Sequence, residues 1–291
     1  MTRIHSDRHF RAALVQLRAS RDIAANLDQA EALIRQAVRG GARYVQTPEN
    51  TALMELEPER VLAQVQPEAE SVPLQRLRSL AAELGVWLHV GSLGIKIDEG
   101  RVANRSFVID PHGDVAARYD KLHMFDVDLA GGESYRESQY YGPGSKAVIA
   151  DLPFGRLGMT ICYDLRFPAL YRALATAGAD LIAIPAAFTK QTGQAHWHVL
   201  VRARAIETGA FVLAATQGGL HENGRETFGH SMIVSPWGEI LAEAGEDPGV
   251  IFADIDVAAS AEARARIPSL KHGREFDLEI APSAVTRKAA S

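Results

Sequence analysis

The stretch GMTICYDLRFPALYRALATAGADLIAIPAA, residues 158–187, decides the fold class. Gly158 to Tyr163 reads as a strand, Phe167 to Ala177 as a helix and Asp180 to Ala186 as a second strand. A strand, a helix and a strand in such quick succession form the unit from which helix-covered sheets are built, and the class is α/β. Downstream, Trp197, Leu200, Val201 and Ala205 fall at helical spacing, which predicts a helix from His196 to Thr208 before a strand from Ala210 to Thr216. Phe228 to Val234, Glu239 to Ala244 and Ile251 to Ile255 follow as strands around a Pro236-Trp237-Gly238 turn.

The first half has the same rhythm. Phe10 to Leu17 is a strand, and Asp22 to Val38 is a helix, with Ile23, Leu27, Ala30, Leu33, Ile34 and Ala37 on one face. Arg43 to Thr47 is a strand that ends in Pro48-Glu49-Asn50, and Pro73 opens a helix that runs to Leu84 and stops at Gly85. Val86 to Ser92, Asn104 to Asp110, Val115 to Lys121 and Lys146 to Asp151 complete the strands. No linker-like Pro, Ser or Gly stretch divides the chain, so residues 10–256 are expected to form one layered domain. Residues 257–291 are left for a C-terminal helix and an arm or disordered tail ending in TRKAAS.

Composition narrows the function. With 47% hydrophobic and 23% charged residues, 291 residues can bury a large core. A net charge of -5 and a pI near 6.1 leave no basic surplus for a phosphate backbone, so nucleic acid is not expected as a partner. The opening MTRIHSDRHF is too polar for a signal peptide, and no run approaches the roughly 20 apolar residues of a membrane span, which predicts a cytosolic protein. The single cysteine cannot form an intrachain disulfide and leaves a free thiol to be explained.

Three polar residues stand at strand ends, where α/β sheets place reacting groups: Glu49 after Pro48, Lys121 in Tyr119-Asp120-Lys121-Leu122-His123, and Cys162. Each has an ordinary alternative, respectively a cap or surface carboxylate, a salt bridge to Asp120 or Asp126, and a small buried hydrophobe. His196-x-His198, with His221 and His230, raises a metal site. Residues two apart on a helix point to different sides, and no cysteine or carboxylate cluster at ligand spacing completes a zinc set, so no metal is expected. Arg202, Arg204 and Glu207 read as a structural charge network.

Pro48-Glu49, then Tyr-Asp-Lys121-Leu-His, then Gly-Met-Thr-Ile-Cys162-Tyr-Asp-Leu-Arg-Phe-Pro, resemble the glutamate, lysine and cysteine motifs of the nitrilase superfamily, in order and at familiar separations. The resemblance runs from about Phe10 to about Ile255. It implies an αββα sandwich that continues across a dimer, with no metal or organic cofactor. The catalytic residues it implies are Cys162 as nucleophile, Glu49 as general base, Lys121 as oxyanion partner and Glu137 as a second glutamate. Glu137 lies in a loop with Gly131, Gly132 and Gly142-Pro143-Gly144 that reads as an adaptable wall. The same resemblance places Ala195-His196-Trp197 beside the site, and Tyr163, Arg166 and Lys190 join His196 and Trp197 as candidate substrate-binding residues.

The activity implied is cysteine-dependent amide hydrolysis. The run from His196 to Thr208, with Gly218-Gly-Leu-His221 and Gly229-His-Ser-Met-Ile-Val-Ser-Pro-Trp-Gly238, resembles the Nit branch, whose members hydrolyse deaminated glutathione. Such a substrate carries separated carboxylates, which Lys190, Arg166, Arg225 and the loop histidines are candidates to meet. The alternatives are ω-amidase action on 2-oxoglutaramate, nitrile hydrolysis or N-acyltransfer with the same residues, and a catalytically silent scaffold of the same fold.

Overall fold

The computed structural model describes residues 8–129 and 132–281. β1 (His9–Gln16) leads into α1 (Ile23–Arg39), which starts where the Asp22 side chain accepts the Ala24 and Ala25 N–H groups. β2 (Tyr44–Gln46) is followed by a short α2 (Pro58–Gln64), α3 (Val72–Leu84) and β3 (Trp87–Lys96). β4 (Val102–Ile109) and β5 (Val115–Asp120) then fold back antiparallel, and β6 (Asp126–Asp128) with β7 (Ser134–Arg136) makes a small ribbon.

The second half opens with the hairpin β8 (Val148–Asp151) and β9 (Arg156–Met159), followed by α4 (Pro168–Thr176), β10 (Leu181–Ala183), α5 (Lys190–Thr208) and β11 (Phe211–Ala214). A ribbon of β12 (Gly218–Leu220) and β13 (Glu226–Phe228) precedes β14 (Met232–Val234), β15 (Ile240–Glu243), β16 (Gly249–Asp256) and α6 (Ala258–Arg266).

Two six-stranded sheets result, ordered β16-β1-β2-β3-β4-β5 and β15-β14-β11-β10-β9-β8. Each has three parallel strands at its centre, β1, β2 and β3 in one and β9, β10 and β11 in the other, with antiparallel strands outside. Leu27, Ile34, Leu77 and Leu80 of α1 and α3 cover the outer face of the first sheet. Leu170, Tyr171 and Leu174 of α4 and Trp197, Val201 and Ala205 of α5 cover the second. The inner faces meet directly. Phe10 stacks on Phe154 with ring centroids 4.3 Å apart, and Gln46 Nε2 donates across the gap to the Leu213 carbonyl at 3.0 Å. The layers are therefore α, β, β, α, as the resemblance implies. Among the described residues no helix is long and apolar enough to cross a membrane.

Local differences from the sequence reading have physical causes. The strand expected over 158–163 ends at Met159, because Cys162 takes a left-handed φ of 47° and opens a 3-10 segment, Cys162–Arg166. The single strand expected over 228–234 is broken where Gly229 (φ 68°) and His230 (φ 56°) turn left-handed, so its ends pair in different sheets. α5 begins six residues before His196, in a turn whose exposed Gln191 and Gln194 carry no apolar period. Gly131 of the wall loop and residues 282–291 of the expected tail lie outside the described residues.

Candidate active site

Glu49 follows β2, Lys121 follows β5 and Cys162 follows β9, so two of these residues come from one sheet and the third from its partner. All are buried, with 3%, 2% and 5% of their surfaces exposed. Glu49 Oε1 accepts from Lys121 Nζ at 2.9 Å and from Asn104 Nδ2 at 2.9 Å, and Oε2 accepts from the Ala187 N–H at 2.9 Å. The Cys162 thiol is hydrogen-bonded to the same carboxylate. Lys121 Nζ also reaches Glu137, at 3.0 Å to Oε1 and 2.8 Å to Oε2, and the Glu137 carboxylate is held by the Phe125 N–H at 2.6 Å. Lys121 is thus paired with neither Asp120 nor Asp126; its cation sits between Glu49 and Glu137.

These contacts set the protonation states. Burial alone would push Glu49 toward its neutral form, but the Lys121 charge and hydrogen bond outweigh it and lower the Glu49 pKa. Burial likewise opposes the Lys121 cation, and the carboxylates of Glu137 and Glu49 raise its pKa well above the usual lysine value. The thiol moves the other way: burial first, then the Glu49 charge, hold Cys162 protonated far above neutral pH. The resting constellation sets the Glu49 carboxylate and the Lys121 ammonium beside a neutral thiol.

The thiol is fixed by its turn. Cys162 N–H donates to the Pro185 carbonyl at 2.9 Å. Fully buried Asp164 accepts from the Ile161 N–H at 2.8 Å, Tyr119 Oη at 2.6 Å and the His123 N–H at 3.1 Å, with His123 Nδ1 at 2.7 Å. Arg204 grips the Leu165 carbonyl through Nε and Nη2 at 2.9 and 2.8 Å, so the structural network expected around it anchors the same turn to α5. In the sequence Asp164 stands only as the aspartate two residues after Cys162 in the cysteine motif, with no role assigned to it. Asn104, which bridges Glu49 to Glu137, and Gln217, which donates to the Glu49 carbonyl at 3.0 Å, carry no signal in periodicity or spacing.

A cavity of about 250 Å³ opens beside Glu49, Lys121 and Glu137, lined also by Tyr135, Tyr140 and Arg225. Arg225 is bonded to the Ala187 carbonyl through Nη2 at 2.6 Å and lies over the Tyr135 ring, and its buried Nε has no partner. A larger cleft, about 630 Å³, runs past Ile206, Trp237 and Ile267 and contains none of the groups above.

Among the candidate substrate-binding residues, half-buried Tyr163 packs edge-on against Phe125 and Phe167 at the cysteine turn. Arg166 lies over the Phe188 ring and meets His196 Nδ1 at 3.3 Å, outside the cavity lining. Lys190 is paired with Glu226 at 3.1 Å, also outside that lining. Trp197 faces the protein interior. It shares a helix face with Val201 and Ala205, is fully buried, and its Nε1 donates to the His230 carbonyl at 2.9 Å.

A carbon-nitrogen hydrolase family model matches residues 11–265, and the chain belongs to that family. It is a hydrolase of carbon-nitrogen bonds with the fold of the nitrilase superfamily. Among particular relatives, the deaminated glutathione amidase of Yersinia enterocolitica is 41% identical over 96% of this chain and 98% of its own length. The human omega-amidase NIT2 is 36% identical over 91% of this chain and 95% of its own. The crystal structure of Saccharomyces cerevisiae Nit3, a member of branch 10 of the nitrilase superfamily, superposes with a TM-score of 0.82 at 29% identity, covering 92% of this chain and 97% of that one.

Proposed function

We propose that this chain hydrolyses deaminated glutathione at its 2-oxoglutaramate-type amide, through a thioester on Cys162, giving 2-oxoglutarate and cysteinylglycine. The carrying observation is that one ionised carboxylate, Glu49, contacts both the neutral Cys162 thiol and the Lys121 ammonium in a buried site. Glu49 takes the thiol proton as sulfur adds to the amide carbon. The resulting oxyanion is met by Lys121 and by the Tyr163 N–H, which stands in the first turn of a 3-10 segment where N–H groups lack an internal partner. Glu49 passes its proton to the departing nitrogen, the amine leaves, and Glu49 then activates a water that hydrolyses the thioester. Glu137 positions Lys121.

Arg225 supports an acidic acyl group. Of the other cations at the cavity, Lys121 is engaged by Glu49 and Glu137 and Arg136 is paired with Asp128 at 2.7 Å, whereas Arg225 has donor capacity left for a carboxylate. The likeness to the human omega-amidase supports a second reading, 2-oxoglutaramate itself, which differs in leaving group. We further place the enzyme in the cytosol as a dimer.

The test compares kcat/KM on deaminated glutathione and on 2-oxoglutaramate, with Cys162→Ala as control and intact-mass detection of the acyl-enzyme. The expected preference for deaminated glutathione is at least about tenfold, equivalent to roughly 1.4 kcal/mol. Preference for 2-oxoglutaramate moves the chain to the second reading. Full activity in Cys162→Ala refutes the mechanism.

A further inference from the structure

His198 on α5, His230 in the left-handed break between β13 and β14, and Glu243 on β15 come together although they are far apart in sequence. His198 Nε2 lies 2.8 Å and His230 Nδ1 2.7 Å from the same Glu243 oxygen, and the three donor atoms are all within 4.8 Å of one another. The side chains are 37%, 27% and 30% exposed, so the cluster is set into the surface yet open to solvent. The grouping shares no residue with the Cys162 site. His196, two residues from His198, points instead to Arg166, as helix geometry requires.

The arrangement is held from outside. Phe228 stacks on the His230 ring at 4.3 Å, and the His198 ring meets both Phe228 and His230 edge-on. The His230 backbone is pinned on both sides, its N–H donating to the Gly245 carbonyl and its own carbonyl accepting from Trp197 Nε1, each at 2.9 Å. A histidine kept at a φ of 56° is a strained backbone choice, and such strain persists where the surroundings impose it and gathers at functional positions. Two imidazoles from separate elements, aimed at one carboxylate oxygen, form a two-nitrogen, one-oxygen donor set.

We propose that His198, His230 and Glu243 form a binding site for a zinc-class divalent cation, with solvent in the remaining coordination positions. Imidazole nitrogen selects zinc and its neighbours over calcium and magnesium, which take oxygen ligands. Zinc bonds of about 2.0–2.2 Å hold tetrahedral donors roughly 3.3–3.5 Å apart. Glu243 lies on β15, the edge strand of its sheet, and a small withdrawal of its side chain admits an ion between the nitrogens. An imidazole binds a metal only through an unprotonated ring nitrogen, so affinity falls on acidification. Occupancy ties α5 to the β14-β15 hairpin.

The test uses untagged full-length protein carrying Cys162→Ala, which removes the one thiol. Zinc chloride is titrated in competition with a chromophoric chelator at neutral pH. One zinc per chain is expected, with affinity at least tenfold weaker in His198→Ala and in Glu243→Gln and unchanged in His196→Ala. Asparagine tolerates the left-handed backbone, so His230→Asn is the third variant; if circular dichroism finds it unfolded, the other two decide. X-ray absorption at the zinc edge is expected to find two imidazole ligands. Retained affinity in His198→Ala, absence of binding at millimolar zinc, or a first shell without imidazole overturns the proposal.

Discussion

Lys121 carries its charge, buried, between two carboxylates at the edge of a cavity, and this separates its proposed role from that of an ordinary surface ion pair. Lys121→Met keeps the length and loses the charge. A rate loss of at least about a hundredfold is expected, the scale of removing one oxyanion donor, and a folded, nearly fully active variant rejects the role. At this scale the sequence was most informative where motif and chemistry coincided: Glu49, Lys121, Cys162 and Glu137 could each be named, and the structure brings them into one cluster. It was least informative for residues that act through a contact formed only in the folded chain. Asn104 and Asp164 look like any polar residue at the edge of an element until their partners arrive from 55 and 41 positions away. Trp197 shows the same limit, since its place in the buried face of α5 with Val201 and Ala205 is fixed only by the packing of the folded chain.

Among the elements, β3 determines how close the Glu49 loop can lie to the first sheet. Gly91 backs directly on Thr47 and Pro48, and a Cβ there would collide with the Thr47 carbonyl oxygen. Gly91→Ala is therefore expected to displace Pro48-Glu49 and lower kcat at least about tenfold while costing roughly 1–3 kcal/mol of stability, measured by denaturant titration beside steady-state kinetics. A variant with wild-type kcat would show that the close approach does not set the site. Strands and helices were legible because their apolar residues recur at the right period. The turns that matter were not, because the left-handed non-glycine residues Asn50, Cys162 and His230 carry no periodic signal of the turns they make, and because the ribbons β6-β7 and β12-β13 have only three residues per strand.

Over the whole molecule, acid is expected to act through the interior. His89 is fully buried between Tyr44 Oη at 2.8 Å and Ser106 Oγ at 2.7 Å, and burial lowers its pKa to about 3. The unfolded chain binds this proton near the ordinary pKa of about 6.5. Between those values the unfolded state holds more protons, so stability falls as pH drops below about 6.5, by roughly 1.4 kcal/mol per pH unit for this group. His89→Gln should flatten that slope in urea titrations across the range; an unchanged slope excludes His89 as its source. The outer surface makes a second prediction. Ile206, Trp237 and Ile267 are each more than half exposed around one cleft, an apolar patch that a second copy would cover. Light scattering at micromolar concentration is expected to give at least twice the 31.6 kDa chain mass, and a clean monomer counts against the dimer.

The division of the site between the sheets has a further consequence. The base and the cation ride on one sheet and the nucleophile on the other, so neither half can hold the reacting groups alone. Hydrolytic activity is then a built-in gauge of how the halves have closed on each other: during refolding, turnover should return with the final mating of the inner faces and lag behind any signal from helix formation. A chain that regained turnover before that interface formed would place its chemistry somewhere else.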